Sequence, residues 1–99
     1  MNQPINHFVY LIECQNGHFY TGYTTDVPRR YQEHVKGTVK SKYTRSFPPK
    51  RLAAYWHING DKGDALKIEH KIKKLSKKDK LALSHNPETL YRLIGTAQT

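Results

Sequence analysis

The segment FVYLIECQNGHFYTG, residues 8–22, constrains the fold of this chain more than any other sequence feature. Both of its halves are rich in β-branched and aromatic residues, and Asn16-Gly17 between them supplies the positive φ that a tight turn needs. The pattern predicts a β-hairpin with strands over residues 8–14 and 18–24. At 99 residues, the chain has room for a single domain with one modest core.

The length of the hairpin loop decides on which face of the sheet each tyrosine lies. Side chains alternate between the two faces of a strand, so a two-residue loop would place Tyr10 and Tyr20 on opposite faces. A three-residue loop over residues 15–17, with Gly17 in the left-handed conformation, would pair Tyr10 with Gly22 and bring both phenols to one face. Because Asn-Gly suits either turn, strand propensity alone leaves both registers open.

A helix-start signature follows the hairpin. Asp26 as the N-cap and Pro28 in the first turn predict a helix over about residues 27–36. On a helical wheel, Arg30 lies at the edge of the inward stripe, whereas Arg29 points away from it. The residues of that inward stripe are Val27, Tyr31, His34 and Val35.

The remaining segments predict an α/β (α+β) domain in which helices flank a three-stranded antiparallel sheet. The basic stretch over residues 36–51 contains no acidic residue and predicts a loop or a short irregular helix. A third strand is expected over residues 51–58, with Leu52, Ala54, Trp56 and Ile58 on one face. A turn over Asn59 to Gly63, an amphipathic helix from Asp64 to about Leu75, a shorter helix over residues 76–84 capped by Ser76, and a tail with a last turn at Leu90 to Ile94 complete the chain.

The charge balance indicates a polyanionic partner. Lys and Arg outnumber Asp and Glu by 17 to 8, which gives a net charge of +9 on a small body. Nucleic acid is the commonest partner of such a surface, although a plain solubility charge is the alternative. We expect Lys40, Lys42 and Arg45 to contact phosphates, with Tyr43 available to stack on an unpaired base.

Cysteine content and hydropathy indicate a cytoplasmic protein. Cys14 is the single cysteine, so an intrachain disulfide cannot form and a reducing compartment is expected. The apolar run from Phe8 to Ile12 is too short for a signal-peptide core or a membrane span, so no membrane association is expected.

Four short motifs occur in a fixed order along the chain: VY at residues 9–10, YTG at 20–22, R-x-x-x-H at 30–34, and a helical Glu69. This pattern resembles the GIY-YIG endonuclease family over about residues 7–84. The segments YTGYTTDVPRRYQEH, KYTR and DALKIEHKIKKLSKKDKLAL look like its short stand-alone YhbQ-like branch, which is related to the nuclease module of the excinuclease C subunit.

The resemblance implies one GIY-YIG nuclease domain over residues 1–99, with a core at about 7–84 and a C-terminal tail at 85–99. Because both motif tyrosines of that family face one catalytic cleft, it also selects the three-residue hairpin loop. It implies a divalent-metal-dependent DNA endonuclease or nickase that selects its substrate by structure rather than by sequence, with repair or recombination as its setting.

Catalytic roles follow from the resemblance residue by residue. It makes Tyr10 the general base or the residue that positions water, and Arg30 the clamp on the phosphate. Glu69 would be the sole protein ligand of one Mg²⁺ or Mn²⁺ ion, because magnesium keeps several waters and substrate oxygens as ligands. Tyr20 would hydrogen-bond the phosphate or the attacking water, and Gly22 would leave room for Tyr10 and the incoming DNA backbone.

The choice of general base lies between two residues. A phenol with a pKa of about 10 is a poor base at neutral pH, so Arg30 and the bound metal would have to lower the pKa of Tyr10. His34 lies one helical turn after Arg30 and is the rival, because an ordinary imidazole titrates closer to neutrality. It would otherwise assist at the phosphate or relay a proton.

The chain departs from the family pattern at three positions. Phe8 and Thr21 replace a glycine and an aliphatic residue of the two motifs, and Tyr23 stands where excinuclease relatives often carry lysine. Relatives usually take their substrate choice from an attached module, so this chain is expected to recognise DNA structure (branched, nicked or single-stranded, with RNA as a further substrate) or to depend on a protein partner. The alternative to an enzyme is a catalytically weak nucleic-acid-binding module of the same fold.

Overall fold

The computed structural model describes residues 5–95, and residues 1–4 and 96–99 of the predicted domain lie outside the described residues. Within the described range the three strands form one antiparallel sheet in the order β2-β1-β3, with helices on both faces, which confirms the predicted fold class. The elements are β1 (His7–Cys14), β2 (Phe19–Thr24), α1 (Val27–Lys36), α2 (Lys42–Ser46), β3 (Pro49–Ile58), α3 (Lys62–Lys73), α4 (Lys77–His85), a 3₁₀ turn (Pro87–Thr89) and α5 (Leu90–Leu93).

The hairpin has the register of the three-residue loop. Tyr10 pairs with Gly22 across β1 and β2, and Ile12 pairs with Tyr20. Gly17 has the left-handed φ of 83° that this turn requires. The amide of Cys14 donates to the carbonyl of His18 at 2.8 Å and closes the loop. Tyr10 and Tyr20 therefore lie on the same face of the sheet, as the resemblance implied.

A β-bulge in the third strand overturns one prediction about its faces. Leu11 pairs with Ala54 and the next residue, Ile12, pairs with Leu52, so Ala53 is the extra residue of β3. One inserted residue reverses the alternation of side chains, and the prediction that Leu52 shares a face with Ala54 was therefore wrong. Leu52 packs beside Tyr10 and Ile12.

The sheet separates two hydrophobic clusters. The larger cluster joins one face of the sheet to α3, α4 and α5, and Leu90 of α5 is fully buried in it. The smaller cluster on the opposite face consists of Tyr10, Ile12 and Cys14, packed against Tyr20, Tyr31, Tyr43 and Leu52. The predicted apolar stripe of α3 packs in the larger cluster, with Ala65, Ile68 and Ile72 buried and Leu75 partly buried.

The first helix ends where its caps predict but presents a narrower inward face than predicted. Asp26 accepts a hydrogen bond from the amide of Arg29 at 3.1 Å. The helix buries Val27 and His34, whereas Val35 is 50% exposed, so its inward placement was wrong. The side of α1 that carries Val27, Tyr31 and His34 faces the sheet, and Val35 lies beside that face of the helix, where solvent reaches it.

Reciprocal caps place the start of α3 earlier than predicted. Asp61 accepts from the amide of Asp64 at 2.9 Å, and the Asp64 carboxylate accepts from the amide of Asp61 at 3.0 Å. This capping box starts the helix at Lys62, two residues before the predicted start.

The segment after α4 is attached to the core by a hydrogen bond in which Trp56 Nε1 donates to the carbonyl of Pro87 at 2.7 Å. Among residues 5–95, no helix combines the length and apolar character needed to cross a membrane.

Candidate active site

Three rings from two strands and one helix converge on the smaller cluster. The centroids of Tyr10 and Tyr20 are 6.3 Å apart, and the imidazole of His34 lies 5.6 Å from the Tyr10 ring and 5.0 Å from the Tyr20 ring. β1 supplies Tyr10, β2 supplies Tyr20 and α1 supplies His34. The three-residue loop and the helical phase of α1 together bring these sequence-predicted residues into contact.

A chain of hydrogen bonds runs through this site. The hydroxyl of Tyr10 is 2.8 Å from Nε2 of His34, and Nδ1 of the same ring is 2.8 Å from Oγ1 of Thr44. Thr44 is 1% exposed and lies on α2, whose N-cap is Ser41. Sequence reasoning missed Thr44 because only tertiary packing places α2 against α1. The one sequence signal is a short capped turn, S-x-x-T, within an otherwise basic segment.

Burial raises the pKa of Tyr10, and the neighbouring Tyr20 phenol acts in the same direction. The Arg30 guanidinium lowers the pKa through its charge and a hydrogen-bond contact, and the negative charge of Glu69 raises it. Arg30 thus acts as expected, but burial outweighs it. Without a bound metal, Tyr10 therefore keeps its proton at neutral pH, and the expectation that Arg30 and a bound metal together lower its pKa stays a prediction.

His34 does not titrate near neutrality. Burial lowers its pKa to about 4, with the nearby Arg30 charge acting in the same direction and Glu33 opposing it. The expectation of an ordinary imidazole is wrong because His34 is 1% exposed. At neutral pH this residue is a neutral ring that offers one acceptor nitrogen and one N–H donor.

Arg30 and Arg29 take different positions at the start of α1. The Arg30 side chain is 31% exposed, its Nε is 3.0 Å from Oε1 of Glu33, and its charge lowers the pKa of Tyr10. That Nε is buried and makes no well-aligned hydrogen bond with any of the described residues. The Arg29 side chain is 57% exposed, and its Nε lies farther from Glu33, at 3.8 Å from Oε2. Arg30 is thus the arginine whose charge reaches the site.

Glu69 brings a carboxylate to the site from α3. Its side chain is 16% exposed, and Oε2 is 3.5 Å from Nζ of Lys73 one helical turn later. Although the apolar stripe of α3 packs on the opposite face of the sheet, the helix contacts the edge strand β2, and the Glu69 charge acts on Tyr10. Tyr10, Tyr20 and His34 are thus in mutual contact, and the charges of Arg30 and Glu69 both act on Tyr10.

Glu69 fits a weakly held divalent ion better than a caged one. No group of three or more His, Cys, Asp or Glu side chains suited to a metal occurs within residues 5–95. One carboxylate suffices for magnesium or manganese when water and substrate phosphate complete the ligand set. The ion pair to Lys73 contacts only one carboxylate oxygen, so the geometry is compatible with such an ion.

Gly22 lies directly under Tyr10. A Cβ built on Gly22 would overlap the Tyr10 hydroxyl oxygen and would fall 2.9 Å from Cε1 of the ring. Any other residue here would displace the ring that contacts His34. The absence of a side chain at Gly22 thus leaves room for the Tyr10 ring, as expected. The expected approach of the DNA backbone to Gly22 stays a prediction.

The basic segment carries its charges outward and its tyrosine inward. Lys40, Lys42 and Arg45 are exposed, as the phosphate-contact prediction requires. Tyr43 is half-buried, and its ring stacks on Tyr20 with centroids 6.3 Å apart and an interplanar angle of 23°. One side of the Tyr43 ring thus faces Tyr20, and its stacking on an unpaired base stays a prediction. Sequence reasoning did not single out Phe47, whose exposed ring packs against Tyr43 with centroids 5.2 Å apart.

Comparisons with known proteins match this chain along most of its length. The GIY-YIG catalytic domain matches residues 6–82, a range that includes every candidate catalytic residue. A UPF0213 protein of Halalkalibacterium halodurans is 46% identical over 76 residues, which are 77% of this chain and 79% of the relative. A UPF0213 protein of Halobacterium salinarum is 47% identical over 77 residues, which are 78% of this chain and 97% of the relative.

A solved structure is also similar. The solution NMR structure of a UPF0213 protein from Bacillus halodurans superposes with a TM-score of 0.50 at 39% sequence identity. The match covers 93% of this chain and 99% of that one. The names of these relatives place them in a group of proteins but state no reaction.

Proposed function

The chain belongs to the GIY-YIG family, and from that premise we propose that it is a divalent-metal-dependent endonuclease or nickase that hydrolyses phosphodiesters in DNA. The observation that supports this most is the environment of one hydroxyl group. The Tyr10 oxygen is 2.8 Å from a neutral imidazole, and the charges of the Arg30 guanidinium and the Glu69 carboxylate both act on it. A base, a phosphate clamp and a metal ligand are the groups that this hydrolysis needs.

The 2.8 Å contact between the Tyr10 hydroxyl and Nε2 of His34 offers a route for the proton. Tyr10 is neutral at neutral pH and can donate its proton to Nε2 of His34, while Nδ1–H of His34 donates to Thr44. As the attacking water forms its bond to phosphorus, its proton passes to the Tyr10 oxygen and the phenolic proton passes to His34. The phenolate is never a free species in this route. Because the lowered pKa of His34 makes its protonated ring short-lived, the proton returns through Tyr10 to solvent once the leaving oxygen has departed. The bond between phosphorus and the leaving oxygen breaks as the water oxygen bonds, and the leaving oxygen takes up a proton from solvent.

The other residues stabilise charge and fix geometry. Arg30 offers its guanidinium to the nonbridging oxygens, where negative charge develops in the transition state. Tyr20, whose ring packs against His34, would hydrogen-bond the phosphate or the water. Glu69 would hold the divalent ion, which when bound supplies charge neutralisation at the phosphate and the leaving oxygen.

The preferred substrate in this proposal is DNA recognised by its structure. The net charge of +9 and the exposed Lys40, Lys42 and Arg45 favour backbone contacts, which carry no sequence information. Branched, nicked or single-stranded DNA in repair or recombination fits such a surface, and a protein partner would supply further targeting.

The metal-ligand role of Glu69 has a direct test. Glu69→Gln should abolish magnesium- or manganese-dependent nicking of plasmid, flap and branched DNA, while binding is retained or improved because a negative charge near phosphate is lost. The matched control is Glu88→Gln, which removes the same charge from an exposed position beyond α4 and should leave nicking unchanged. Retained nicking by Glu69→Gln would exclude Glu69 as the ligand.

The proton route and the phosphate clamp have separate tests. Tyr10→Phe keeps the ring but deletes the hydroxyl and should lower the cleavage rate by roughly 10²–10⁴-fold. His34→Ala should cause a loss of similar size if both residues serve one route, and a clearly larger loss would make His34 the base itself. Arg30→Ala should weaken both cleavage and binding. Tyr55→Phe, an exposed tyrosine of β3, is the control that should change nothing.

A second outcome defines the alternative function. If the wild-type protein cleaves none of these substrates, nor RNA, with either metal, the enzyme proposal fails. The family fold would then serve as a nucleic-acid-binding module whose affinity depends on salt.

A further inference from the structure

Three aromatic side chains form a row that leads from the candidate site to the surface. Tyr20, Tyr43 and Phe47, which we call the aromatic ladder, have successive ring centroids 6.3 Å and 5.2 Å apart. Tyr20 and Tyr43 are half-buried, whereas Phe47 is 41% exposed. The ladder thus begins at a ring that contacts His34 and ends with an apolar ring in solvent.

The position of the ladder is fixed by hydrogen bonds on both sides. Nδ2 of Asn16 in the hairpin loop donates to the Tyr43 hydroxyl at 3.1 Å. Thr44, which follows Tyr43 in the sequence, shares a hydrogen bond with His34. The amide of Phe47 donates to the carbonyl of Tyr43 at 2.8 Å. The exposed ring therefore stands at a defined distance from the Tyr10–His34 pair.

The surroundings of Phe47 are cationic. Lys42 and Arg45 are exposed on the same short helix α2, and Lys50 is exposed at the start of β3. An exposed aromatic face among cations fits a ligand that is both flat and anionic. Single-stranded nucleic acid has that chemistry, since its bases stack on aromatic side chains while its phosphates contact Lys and Arg.

We propose that an unpaired base of single-stranded DNA stacks on the exposed face of Phe47, beside the strand whose phosphate is held at Arg30. This inference rests on the proposed function and specifies its substrate as DNA with unpaired nucleotides near the scissile bond. In fully paired DNA each base face is already covered by its neighbours, so Phe47 has nothing to stack on.

Binding without turnover tests the proposal. The full-length protein is titrated, in a chelator that removes divalent metal, with a single-stranded oligonucleotide that carries a fluorescent adenine analogue, and with a fully paired duplex. Phe47→Ala should weaken single-strand binding by about 5- to 150-fold, the range expected for one stacked base, and leave duplex binding unchanged. Phe47→Trp keeps an aromatic ring at this position, so it should retain the wild-type affinity for the single strand and the quenching of the analogue.

Matched variants separate stacking from general loss of apolar surface. Leu81 is 45% exposed on α4, and Leu81→Ala should change neither affinity. Tyr55 is 54% exposed on β3, and Tyr55→Ala should likewise have little effect on single-strand binding. A thermal melt of each variant verifies that it is folded.

Several results would overturn the proposal. Unchanged single-strand affinity in Phe47→Ala, an equal loss on single strand and duplex, or a larger loss in Tyr55→Ala would each remove Phe47 as the stacking surface. Absence of cleavage by the wild-type protein would instead defeat the nuclease proposal alone, because the stacking measurement needs no turnover.

Discussion

At the scale of single residues, the buried polar side chains divide into satisfied and unsatisfied groups. His34 and Thr44 share a hydrogen bond, and Thr24 Oγ1 donates to the carbonyl of Asp26. Thr21 is 3% exposed, and its hydroxyl has no hydrogen-bond partner among residues 5–95. A buried hydroxyl without a partner costs free energy, so the departure from an aliphatic residue at this motif position is a stability defect.

The two buried threonines should respond in opposite directions to the same substitution. Thr21→Val keeps the shape and removes an unpaired hydroxyl, so the free energy of unfolding should rise by about 1 kcal/mol. Thr44→Val removes a hydroxyl that is bonded to His34, so it should lower that free energy by about 1–3 kcal/mol. Urea denaturation of both variants measures the difference. Destabilisation by Thr21→Val would mean that its hydroxyl has a partner after all.

The depressed pKa of His34 links folding to pH. The folded ring takes a proton only near pH 4, whereas the unfolded ring takes it near pH 6.5, so the unfolded state binds more protons between these values. Stability should therefore fall as the pH falls through this window, by at most about 3 kcal/mol from this residue. Unfolding free energies of the wild type and of His34→Gln across the window should show a shallower slope in the variant. Imidazole chemical shifts should show His34 neutral above about pH 5; titration near pH 6.5 would contradict the predicted shift.

At the scale of secondary structure elements, strand register decides where the side chains of the site lie. The three-residue loop sets Tyr10 against Gly22, and the bulge in β3 turns Leu52 toward the Tyr10 side of the sheet. The hairpin therefore supplies the two tyrosines, while β3 supplies part of the apolar packing around them. An error of one residue in either register would separate these groups.

Two glycines should respond differently to alanine. Gly22→Ala would overlap the Tyr10 ring, which is 2% exposed and bonded to His34 and so has no free space to move into. We expect a loss of about 1–3 kcal/mol in stability and a loss of cleavage as Tyr10 is displaced. Gly37→Ala meets no atom within 4 Å and strains only a left-handed C-cap with φ of 74°, so it should cost about 1 kcal/mol and preserve cleavage. Chemical denaturation and nicking assays on both variants measure this, and equal activity in the two would contradict the close packing.

At the scale of the whole molecule, charge and shape determine how the protein approaches DNA. Exposed cations in the α2 region and on the outer faces of α3 and α4 contribute to the net charge of +9. Long-range attraction depends on the total charge, whereas counterion release depends on which cations contact phosphates. Long-range attraction and counterion release can be separated by comparing two variants that change the net charge equally but on different surfaces.

Charge reversal at Lys40, Lys42 and Arg45 should weaken DNA binding for all sequences alike. It should also reduce the slope of log affinity against log salt by up to about three, because each lost phosphate contact removes about one released counterion. The control is charge reversal at the exposed Lys67, Lys74 and Lys78 of the α3–α4 region, which changes the net charge equally. If the control flattens the slope more than the α2 variant does, the phosphate contacts lie on α3 and α4.

The sequence by itself determined the local elements and the order of the motif residues. Asn16-Gly17 predicted the hairpin, Asp26 and Ser76 predicted helix starts, and the structure has them. These features depend on backbone sterics and on hydrogen bonds between residues a few positions apart, which a sequence displays directly. The family pattern named five residues, of which the fold brings Tyr10, Tyr20 and His34 into contact while the charges of Arg30 and Glu69 act on Tyr10; their catalytic roles remain predictions.

Tertiary structure alone decided the properties that depend on distant packing. The bulge that moves Leu52, the outward turn of Val35 and the contact of Thr44 with His34 arise where separate elements meet. The pKa values of Tyr10 and His34 moved away from neutrality because burial removed water from both groups, and no local pattern records how deeply a side chain is buried. The position of the exposed Phe47 ring likewise depends on packing, because Tyr43 of the same segment contacts Tyr20 of β2, which is distant in the sequence.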